Sequence, residues 1–332
     1  MKSQYEKKRL ITFDRIKIKS NYKYLLATKV KFNEMFHSRS GEKIGIFYSS
    51  KDDINIPYNL YIAVSYIKQT LTLEFSSKIL KEKYPDLISR DTIKECLISI
   101  NQLNICDIDV DSILSSGAVT SVDITYDADF ILNDNLLDAL NSQVHNYRRF
   151  KWVHYDKEGI TFTKDVKSKD CVETITLYNK EKEICTSHNK DFLNSLSQPQ
   201  AVMDYFKGKT RFEITLDTPK KIMNYLNLAD TKISSVLNSD TNPILIQFDK
   251  VFGNSTTNIS DTTFDDYENW AMKIILEKYK GDLKLLEQDV RSKFSSRSGA
   301  TKRMKKFETV YHAMTSASTS ENPIEKIRNL LL

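Results

Sequence analysis

Hydrophobic and polar residues alternate along much of the chain, from about residue 10 to residue 217. Period-two alternation is typical of β-strands in a sheet that buries one face and leaves the other face polar. The pattern predicts eight strands, which are Ile11–Ile18, Lys43–Tyr48, Thr70–Phe75, Val119–Tyr126, Arg149–Tyr155, Gly159–Thr163, Thr174–Lys180 and Arg211–Leu216.

Helical periodicity occurs between these strands. The segment Ser89-Arg90-Asp91 opens one predicted helix, which runs to about Leu103, and Asn133-Asp134 opens another, which runs to about Asn146. Ser, Asp and Asn are favoured at such positions because their side chains accept hydrogen bonds from the first free amides of a helix. The order of elements predicts an α+β fold made of two similar halves, each an antiparallel sheet backed by helices.

A change of composition follows this region. Residues 229–262 are rich in Asn, Ser, Thr and Asp, which indicates a linker with one short element around Ile244 to Phe252. Helical patterns then follow at Phe264–Tyr279, Asp282–Phe294 and Thr301–Met314. We therefore predict a large α+β domain over 1–228, a linker over 229–262 and a small, basic, all-helical domain over 263–332.

Composition restricts the class of protein. The 332 residues are 40% hydrophobic and 28% charged, as in soluble globular proteins. No run approaches the roughly 20 apolar residues of a membrane-spanning helix, and the polar, basic segment Met1 to Arg9 does not resemble a signal peptide. We therefore expect a cytoplasmic protein with no membrane partner. The four cysteines form no CxxC pair and fit neither a zinc module nor a disulfide framework.

Three of the predicted strands carry side chains suited to phosphodiester chemistry. If these strands are neighbours, alternation brings five residues to one sheet face, with Glu183 just beyond them: Asp123, Tyr178, Lys180, Arg211 and Glu213. Carboxylates bind hard divalent cations, cationic side chains bind phosphate, and a hydroxyl can attack phosphorus. Each of these residues alone is more often simply a solvated polar side chain of a sheet.

Three short segments resemble a known family. Val122-Asp123-Ile124-Thr125-Tyr126-Asp127 resembles a strand with a central Asp, Tyr178-Asn179-Lys180-Glu181-Lys182-Glu183 matches Tyr-Asn-Lys-x-x-Glu, and Arg211-Phe212-Glu213 matches Arg-hydrophobic-Glu. In this order they are similar to rolling-circle replication initiators of the replication initiation factor type. That group includes plasmid initiators, relaxase-like proteins of conjugative elements and filamentous-phage replication proteins. The resemblance covers about a third of the chain, and the segment Ile160 to Lys169 lacks the Gly-Ser-rich element common before the second motif.

The resemblance implies a site-specific nick at an origin, attachment of the 5′ phosphate to a tyrosine, and later religation. It leaves two candidate nucleophiles, Tyr178 in the motif and Tyr225 in a predicted helix just after the Arg-Phe-Glu strand. Lys180 and Arg211 are expected to assist catalysis.

The expected cofactor is Mg²⁺ or Mn²⁺. Its predicted ligands are Asp123, Glu183 and Glu213. Carboxylate ligation is favoured because the five histidines include no His-hydrophobic-His pair.

Two segments are candidate DNA-binding surfaces. Basic and aromatic residues are interleaved in the segment 147–155. This pattern would suit the binding of single-stranded DNA, with Arg148, Arg149, Lys151 and Trp152 as the contact residues. An ordinary strand with inward rings fits that pattern equally well. The helical domain carries a basic cluster that would suit duplex DNA in a helix-turn-helix-like module, or is a solvated helix surface: Arg297, Lys302, Arg303, Lys305 and Lys306.

Three functions stay open at this point. The first is a rolling-circle initiator or relaxase, the second a non-catalytic origin-binding protein, and the third a metal-dependent nuclease that uses water. The expected partner is DNA, as origin duplex and as single strand, and a host helicase and a second copy of the chain are further candidates. The net charge of +5 is only a weak indication of nucleic acid.

Overall fold

A computed structural model gives the fold of the chain. The structure describes residues 11–134, 136–137, 140, 150–155, 159–164, 173–252, 264–279, 282–294, 296–317 and 323–332. The chain divides between Val251 and Phe252 into two compact units.

Twelve strands lie within the described residues, and all of their pairings are antiparallel. They are β1 (Phe13–Asn21), β2 (Leu25–Thr28), β3 (Asn33–Phe36), β4 (Lys43–Ser49), β5 (Leu60–Ser65), β6 (Thr70–Ser76), β7 (Cys106–Ile108), β8 (Ala118–Ala128), β9 (Phe150–Tyr155), β10 (Gly159–Lys164), β11 (Thr174–Asn179) and β12 (Thr210–Leu216). Ten of them form one sheet in the order β3-β4-β5-β6-β1-β8-β12-β11-β10-β9, and β2 pairs with β7.

The strand order of the large sheet has two matching halves. β1 and β8 lie side by side at its centre. Outward from β1 come β6, β5, β4 and β3, and outward from β8 come β12, β11, β10 and β9. In each half, the first strand of the chain pairs with the last strand. The predicted α+β fold with two similar halves is confirmed.

Twelve α-helices with defined bounds accompany the sheets in the described part of the chain. They are α1 (Ile93–Gln102), α2 (Val110–Ser116), α3 (Lys180–Ile184), α4 (Lys190–Asn194), α5 (Pro199–Phe206), α6 (Pro219–Leu226), α7 (Ile233–Leu237), α8 (Pro243–Phe252), α9 (Phe264–Lys278), α10 (Leu283–Lys293), α11 (Arg297–Ala317) and α12 (Pro323–Leu331). A 3-10 segment, Ser77–Asp86, follows β6. No described helix is long and apolar enough to cross a membrane.

The alternation of the central strands separates an apolar face from a polar face. Ile16 and Ile18 of β1 and Val122 of β8 are fully buried, and α2, α6 and α7 contact the central strands. A β-bulge between Phe13 and Arg15 interrupts the alternation of β1. Such a bulge sets two residues of one strand against one of its partner, so the pattern of β1 shifts at this point.

The predicted linker is corrected by the structure. The segment 229–262 contains α7 and α8, which belong to the first unit. Ile233 and Val236 of α7 and Phe248 of α8 are buried, and the amide of Val119 in β8 bonds to the carbonyl of Thr231 at 2.7 Å. The segment was predicted as a linker because of its polar composition, although it also contains apolar residues at helical spacing. The polar residues mostly form the turns between these helices. Residues 253–262 lie outside the described part.

The second unit contains the predicted helices and one more. Three of them, α9, α10 and α11, share a core formed by Met272, Leu276, Leu286, Val290, Ala300, Met304, Phe307 and Val310. The third predicted helix, expected from Thr301, already begins at Arg297 as α11. Helix α12 was not predicted. The predicted helix over 133–146 lies largely outside the described residues.

Candidate active site

The polar sheet face unites the three motif strands as the sequence predicted. β12 lies between β8 and β11. Arg211 stands opposite Asp127 on one side and Tyr178 on the other, while Glu213 is flanked by threonines. Asp123 stands opposite Thr215, two positions along from Glu213. The three strands are therefore neighbours, as the predicted shared face requires, whereas Lys180 lies at the start of α3 instead of on the strand.

A tyrosine and a glutamate meet at the centre of this face. The Tyr178 hydroxyl donates a hydrogen bond to Glu213 Oε1 at 2.9 Å, and both side chains are partly buried. Burial, and next the negative charge of Asp14, raise the pKa of Glu213 to about 7. Burial, and next the charge of Glu213, hold the pKa of Tyr178 well above its usual value of 10. Tyr178 is therefore a neutral phenol whose proton already points at a carboxyl group that titrates near neutrality.

Arg211 lies beneath the face and is 0% exposed. Its guanidinium donates to both oxygens of Asp127, at 2.6 and 2.8 Å. A further N–H group is 3.2 Å from Asp14 Oδ1 and 3.0 Å from the Tyr84 hydroxyl. These partners occupy the N–H groups of the guanidinium that could bind a phosphate through two parallel hydrogen bonds. Arg211 therefore holds two carboxylates in place instead. The expected catalytic contact is replaced by a positioning role.

The Tyr-Asn-Lys-x-x-Glu motif is a strand end followed by a helix start. Asn179 caps α3, because its side chain accepts from the amide of Lys182 at 3.0 Å. This turn buries Lys180, which is 2% exposed, and brings its ammonium group into a salt bridge with Glu183 one helical turn later. Asn189 donates to the other oxygen of Glu183 at 3.0 Å.

Aromatic rings surround the buried cations of the site. Lys180 Nζ lies 5.4 Å from the ring centres of Tyr84 and Phe206 and 5.6 Å from that of Tyr178. The guanidinium carbon of Arg211 is 5.5 Å from Tyr84 and 5.2 Å from Phe206. Cations within about 6 Å of a ring centre gain electrostatic attraction. The rings therefore help to hold two positive charges beside Tyr178.

The predicted metal ligands do not converge. Asp123 accepts two hydrogen bonds from Arg15, at 2.7 and 3.0 Å, and one from Thr215 at 2.8 Å. Glu183 is held by Lys180 and Asn189, and Glu213 by Tyr178. Within the part of the chain described, no group of three or more His, Cys, Asp or Glu side chains is arranged to hold a metal ion. In this arrangement the three carboxylates do not fit a divalent cation.

The second candidate nucleophile lies elsewhere. Tyr225, on α6, is 9% exposed, and its hydroxyl donates to Gln247 Oε1 at 2.6 Å and accepts from Lys250 Nζ at 2.8 Å. It lines a small cavity with Ile214 and Leu216, which alternate with Glu213 along β12. Burial raises the pKa of Tyr225 strongly. Its hydroxyl therefore does not face the cluster of carboxylates.

Sequence reasoning missed several residues of the site. Asp14 enters it through the β-bulge, where it accepts from Ser77 Oγ at 2.7 Å. The available signal was the polar pair Asp14-Arg15 between the buried Phe13 and Ile16, which breaks the period of two. Lys78, Tyr84 and Asn189 come from 3-10 segments, for which the sequence pattern gave no signal. Asp127 shared the predicted face with Asp123 but was not assigned a role.

The predicted DNA-binding residues are only partly described. Arg148 and Arg149 lie outside the described residues. Lys151 and Trp152 belong to β9, the edge strand, opposite Thr163 and Phe162 of β10. All five residues of the basic cluster lie on α11: Arg297, Lys302, Arg303, Lys305 and Lys306.

The cations of α11 fall into two groups. Arg303 and Lys306 donate to Glu268 of α9, at 2.7 and 2.9 Å, so they also tie two helices together. Arg297, Lys302 and Lys305 are exposed. Lys306 is exposed as well, but the three cations without a contact to Glu268 are the ones available to an external anion.

Comparison with known proteins adds no relative. Neither the protein-family models nor the curated proteins that were searched match the chain.

Proposed function

We propose that the chain nicks and rejoins one DNA strand, as a rolling-circle replication initiator or relaxase does, with Tyr178 as nucleophile. The observation that carries the proposal is the 2.9 Å hydrogen bond from the Tyr178 hydroxyl to Glu213 Oε1. A general base must lie within hydrogen-bond reach of the proton it takes, and it works best when its pKa is near the operating pH. Glu213 meets both conditions.

The reaction follows from this pair. Glu213 accepts the phenolic proton as Tyr178 Oη attacks the phosphorus of the scissile phosphodiester. The bond from phosphorus to the 3′ oxygen breaks, and that oxygen takes up a proton from solvent. The product is a 5′-phosphotyrosyl bond and a free 3′ hydroxyl. In religation the 3′ hydroxyl releases its proton to solvent and attacks the same phosphorus. The bond from phosphorus to Tyr178 Oη breaks, and Glu213 returns the proton to that oxygen.

The surrounding charges support a phosphate at this position. Lys180 and Arg211 hold two positive charges beside and beneath Tyr178, where transition-state charge on phosphate oxygens would be stabilised. Glu183 and Asp127 fix the directions of these cations. The expected dependence on Mg²⁺ or Mn²⁺ rests on the sequence, namely on its candidate carboxylate ligands and the lack of a histidine pair. No step here is routed through a metal. Nicking in EDTA compared with nicking in Mg²⁺ tests that prediction.

The proposal also gives roles to the remaining parts of the chain. The α9–α11 unit would add duplex affinity at an origin through the exposed cations of α11. DNA in the cytoplasm would be the main partner, with a host helicase and a second copy of the chain as candidate partners of the same activity.

Incubation with supercoiled DNA from the protein's own genetic element tests the proposal. We expect open-circular DNA, and protein that stays attached to the 5′ end on a denaturing gel. Cleavage without an adduct would favour a nuclease that uses water. Sequence-specific retention without cleavage would favour an origin-binding protein.

A further inference from the structure

Lys78 is a partly buried cation at the edge of the candidate active site. It is the second residue of the 3-10 segment Ser77–Asp86. Its Nζ donates one hydrogen bond, to Asn189 Oδ1 at 2.6 Å, and lies 5.4 Å from the ring centre of Phe192 and 5.8 Å from that of Tyr84. A lysine ammonium group has three donors. Within the described residues, the other two have no hydrogen-bond acceptor.

The other two cations of the site are compensated by carboxylates. Arg211 binds Asp127 and Asp14, and Lys180 binds Glu183. Among the described residues, no carboxylate lies within ion-pair distance of Lys78. Lysine is rarely buried without a partner. Lys78 is partly buried and has described carboxylates only beyond ion-pair distance, so its position suits an additional anion.

The electrostatics of Lys78 agree with this geometry. Burial, and next the positive charge of Lys180, lower its pKa, while Glu183 and Asp14 raise it less. The positive charge of Arg211 lowers the pKa of Lys78 further, and an anion beside Lys78 would oppose these lowering effects.

A short chain of contacts connects Lys78 to the proposed nucleophile. Asn189 accepts from Lys78 and donates to Glu183 Oε1 at 3.0 Å. Glu183 binds Lys180, whose ammonium group lies 5.6 Å from the ring centre of Tyr178. Lys78 and Tyr178 therefore belong to one group of contacts, which a chain of anions bound at Tyr178 can reach. A DNA backbone is such a chain.

We propose that Lys78 binds a backbone phosphate of the DNA strand held at Tyr178. This inference rests on the proposed function, because it takes the nicked strand as the source of the anion. A lysine ammonium group is a compact point charge that binds phosphate without requiring one fixed geometry. Lys78 is then a residue that positions the DNA strand, and the hydrogen bond to Asn189 fixes the direction of its side chain.

The salt dependence of binding tests this contact. Binding of fluorescently labelled oligo(dT) is measured by anisotropy at several salt concentrations, for wild type, Lys78→Met and Lys78→Arg. Each phosphate contact on a single strand contributes about 0.7 to the slope of log Kobs against log salt. We expect Lys78→Met to lower the magnitude of the slope by about 0.7, and Lys78→Arg to retain it.

Lys83→Met is the matched control. Lys83 lies on the same 3-10 segment, but it is exposed and held by Glu95 at 2.8 Å, so its loss should leave the slope unchanged. Lys78→Gln keeps a polar end beside Asn189 and should lose the same slope as Lys78→Met. Circular dichroism and melting temperature identify a variant that fails to fold.

Three outcomes overturn the proposal. The first is weaker binding with an unchanged slope, which assigns Lys78 to packing. The second is an equal loss of slope in Lys83→Met. The third is a wild type that does not bind the oligonucleotide. Adduct formation by wild type is measured in parallel. If wild type forms no adduct but Lys78→Met still lowers the slope, the nicking function is contradicted and the phosphate contact of Lys78 is not.

Discussion

Asp14 Oδ1 lies 3.2 Å from the Arg211 guanidinium, although the two residues are 197 positions apart in the chain. Asp14 belongs to the first strand of one half of the sheet, and Arg211 to the last strand of the other. Burial, and next the negative charge of Asp14, raise the pKa of the Glu213 carboxyl, whereas the positive charge of Arg211 lowers it. The candidate site therefore depends on both halves.

Loss of the Arg211 charge should destabilise the fold. Arg211→Met leaves Asp127, whose side chain is 3% exposed, without its partner. Removing one member of a buried ion pair costs about 3–5 kcal/mol, and chemical denaturation measures this loss. The double variant Arg211→Met/Asp127→Asn should recover part of it. A loss no larger than that of an exposed substitution would contradict the account of this pair.

The pH dependence of nicking should report Glu213. Because Glu213 acts as base in its ionised form, the rate should rise with pH to about 7 and then level off. Glu213→Gln should be slower by about 10²–10⁴-fold and lack this rise. A wild-type rate that does not change between pH 5 and pH 8 would exclude Glu213 as the base.

Stability should depend on pH through the same group, in the opposite direction. Glu213 is more easily protonated in the folded protein than at its ordinary pKa of 4.5. Its contribution to stability is thus fully present below about pH 4.5 and is lost as pH rises through about 7. The melting temperature of wild type relative to Glu213→Gln should therefore fall over this interval. The opposite trend would contradict the raised pKa.

Asp123 and Glu213 should differ in importance. Asp123 is bonded to Arg15 and Thr215, not to Tyr178. Asp123→Asn should therefore reduce adduct formation much less than Glu213→Gln does. Equal losses, measured by adduct yield with DNA binding unchanged, would favour the original grouping of both residues as metal ligands.

The basic helix α11 should contribute to duplex binding through its exposed cations. Lys302→Ala/Lys305→Ala should lower the salt slope by up to about 1.8, since each phosphate contact on duplex DNA contributes about 0.9. Lys293→Ala is the control, because Asp289 holds its ammonium group at 2.8 Å. Titration of origin duplex at several salt concentrations measures the slope. An unchanged slope in the double variant would leave α11 without a role in DNA binding.

Alternation was enough to predict most of the sheet. All eight predicted strands occur, with ends that differ by a few residues, because a half-buried sheet imposes a period of two on its sequence. Four strands were missed, namely β2, β3, β5 and β7. β5 was missed because Leu60–Ser65 is almost continuously apolar and does not alternate clearly. The shared polar face of Tyr178, Arg211 and Glu213 also followed from period and strand order.

The detailed contacts of the site could not be predicted in the same way. The position of Asp14 in the site depends on one β-bulge. The position of Lys78 depends on a 3-10 segment that contains Lys81 at φ 54°, a backbone conformation that the hydrophobic pattern does not predict. Asp123 was predicted to be a metal ligand because the alternation showed its sheet face. The sequence did not show that Arg15 of β1 lies beside it. The period of a strand sequence shows which side chains share a sheet face. Their hydrogen-bond partners depend on how distant strands are paired, which the local sequence does not show.

The nucleophile is the most direct test of the account. Tyr178→Phe removes only the hydroxyl that bonds to Glu213, and Tyr225→Phe removes the one held by Gln247 and Lys250. Both variants and wild type are incubated with origin DNA, and covalent protein–DNA adduct is measured on a denaturing gel. We predict that Tyr178→Phe binds DNA but forms no adduct, while Tyr225→Phe still forms it. An adduct in Tyr178→Phe at the wild-type yield would contradict the account.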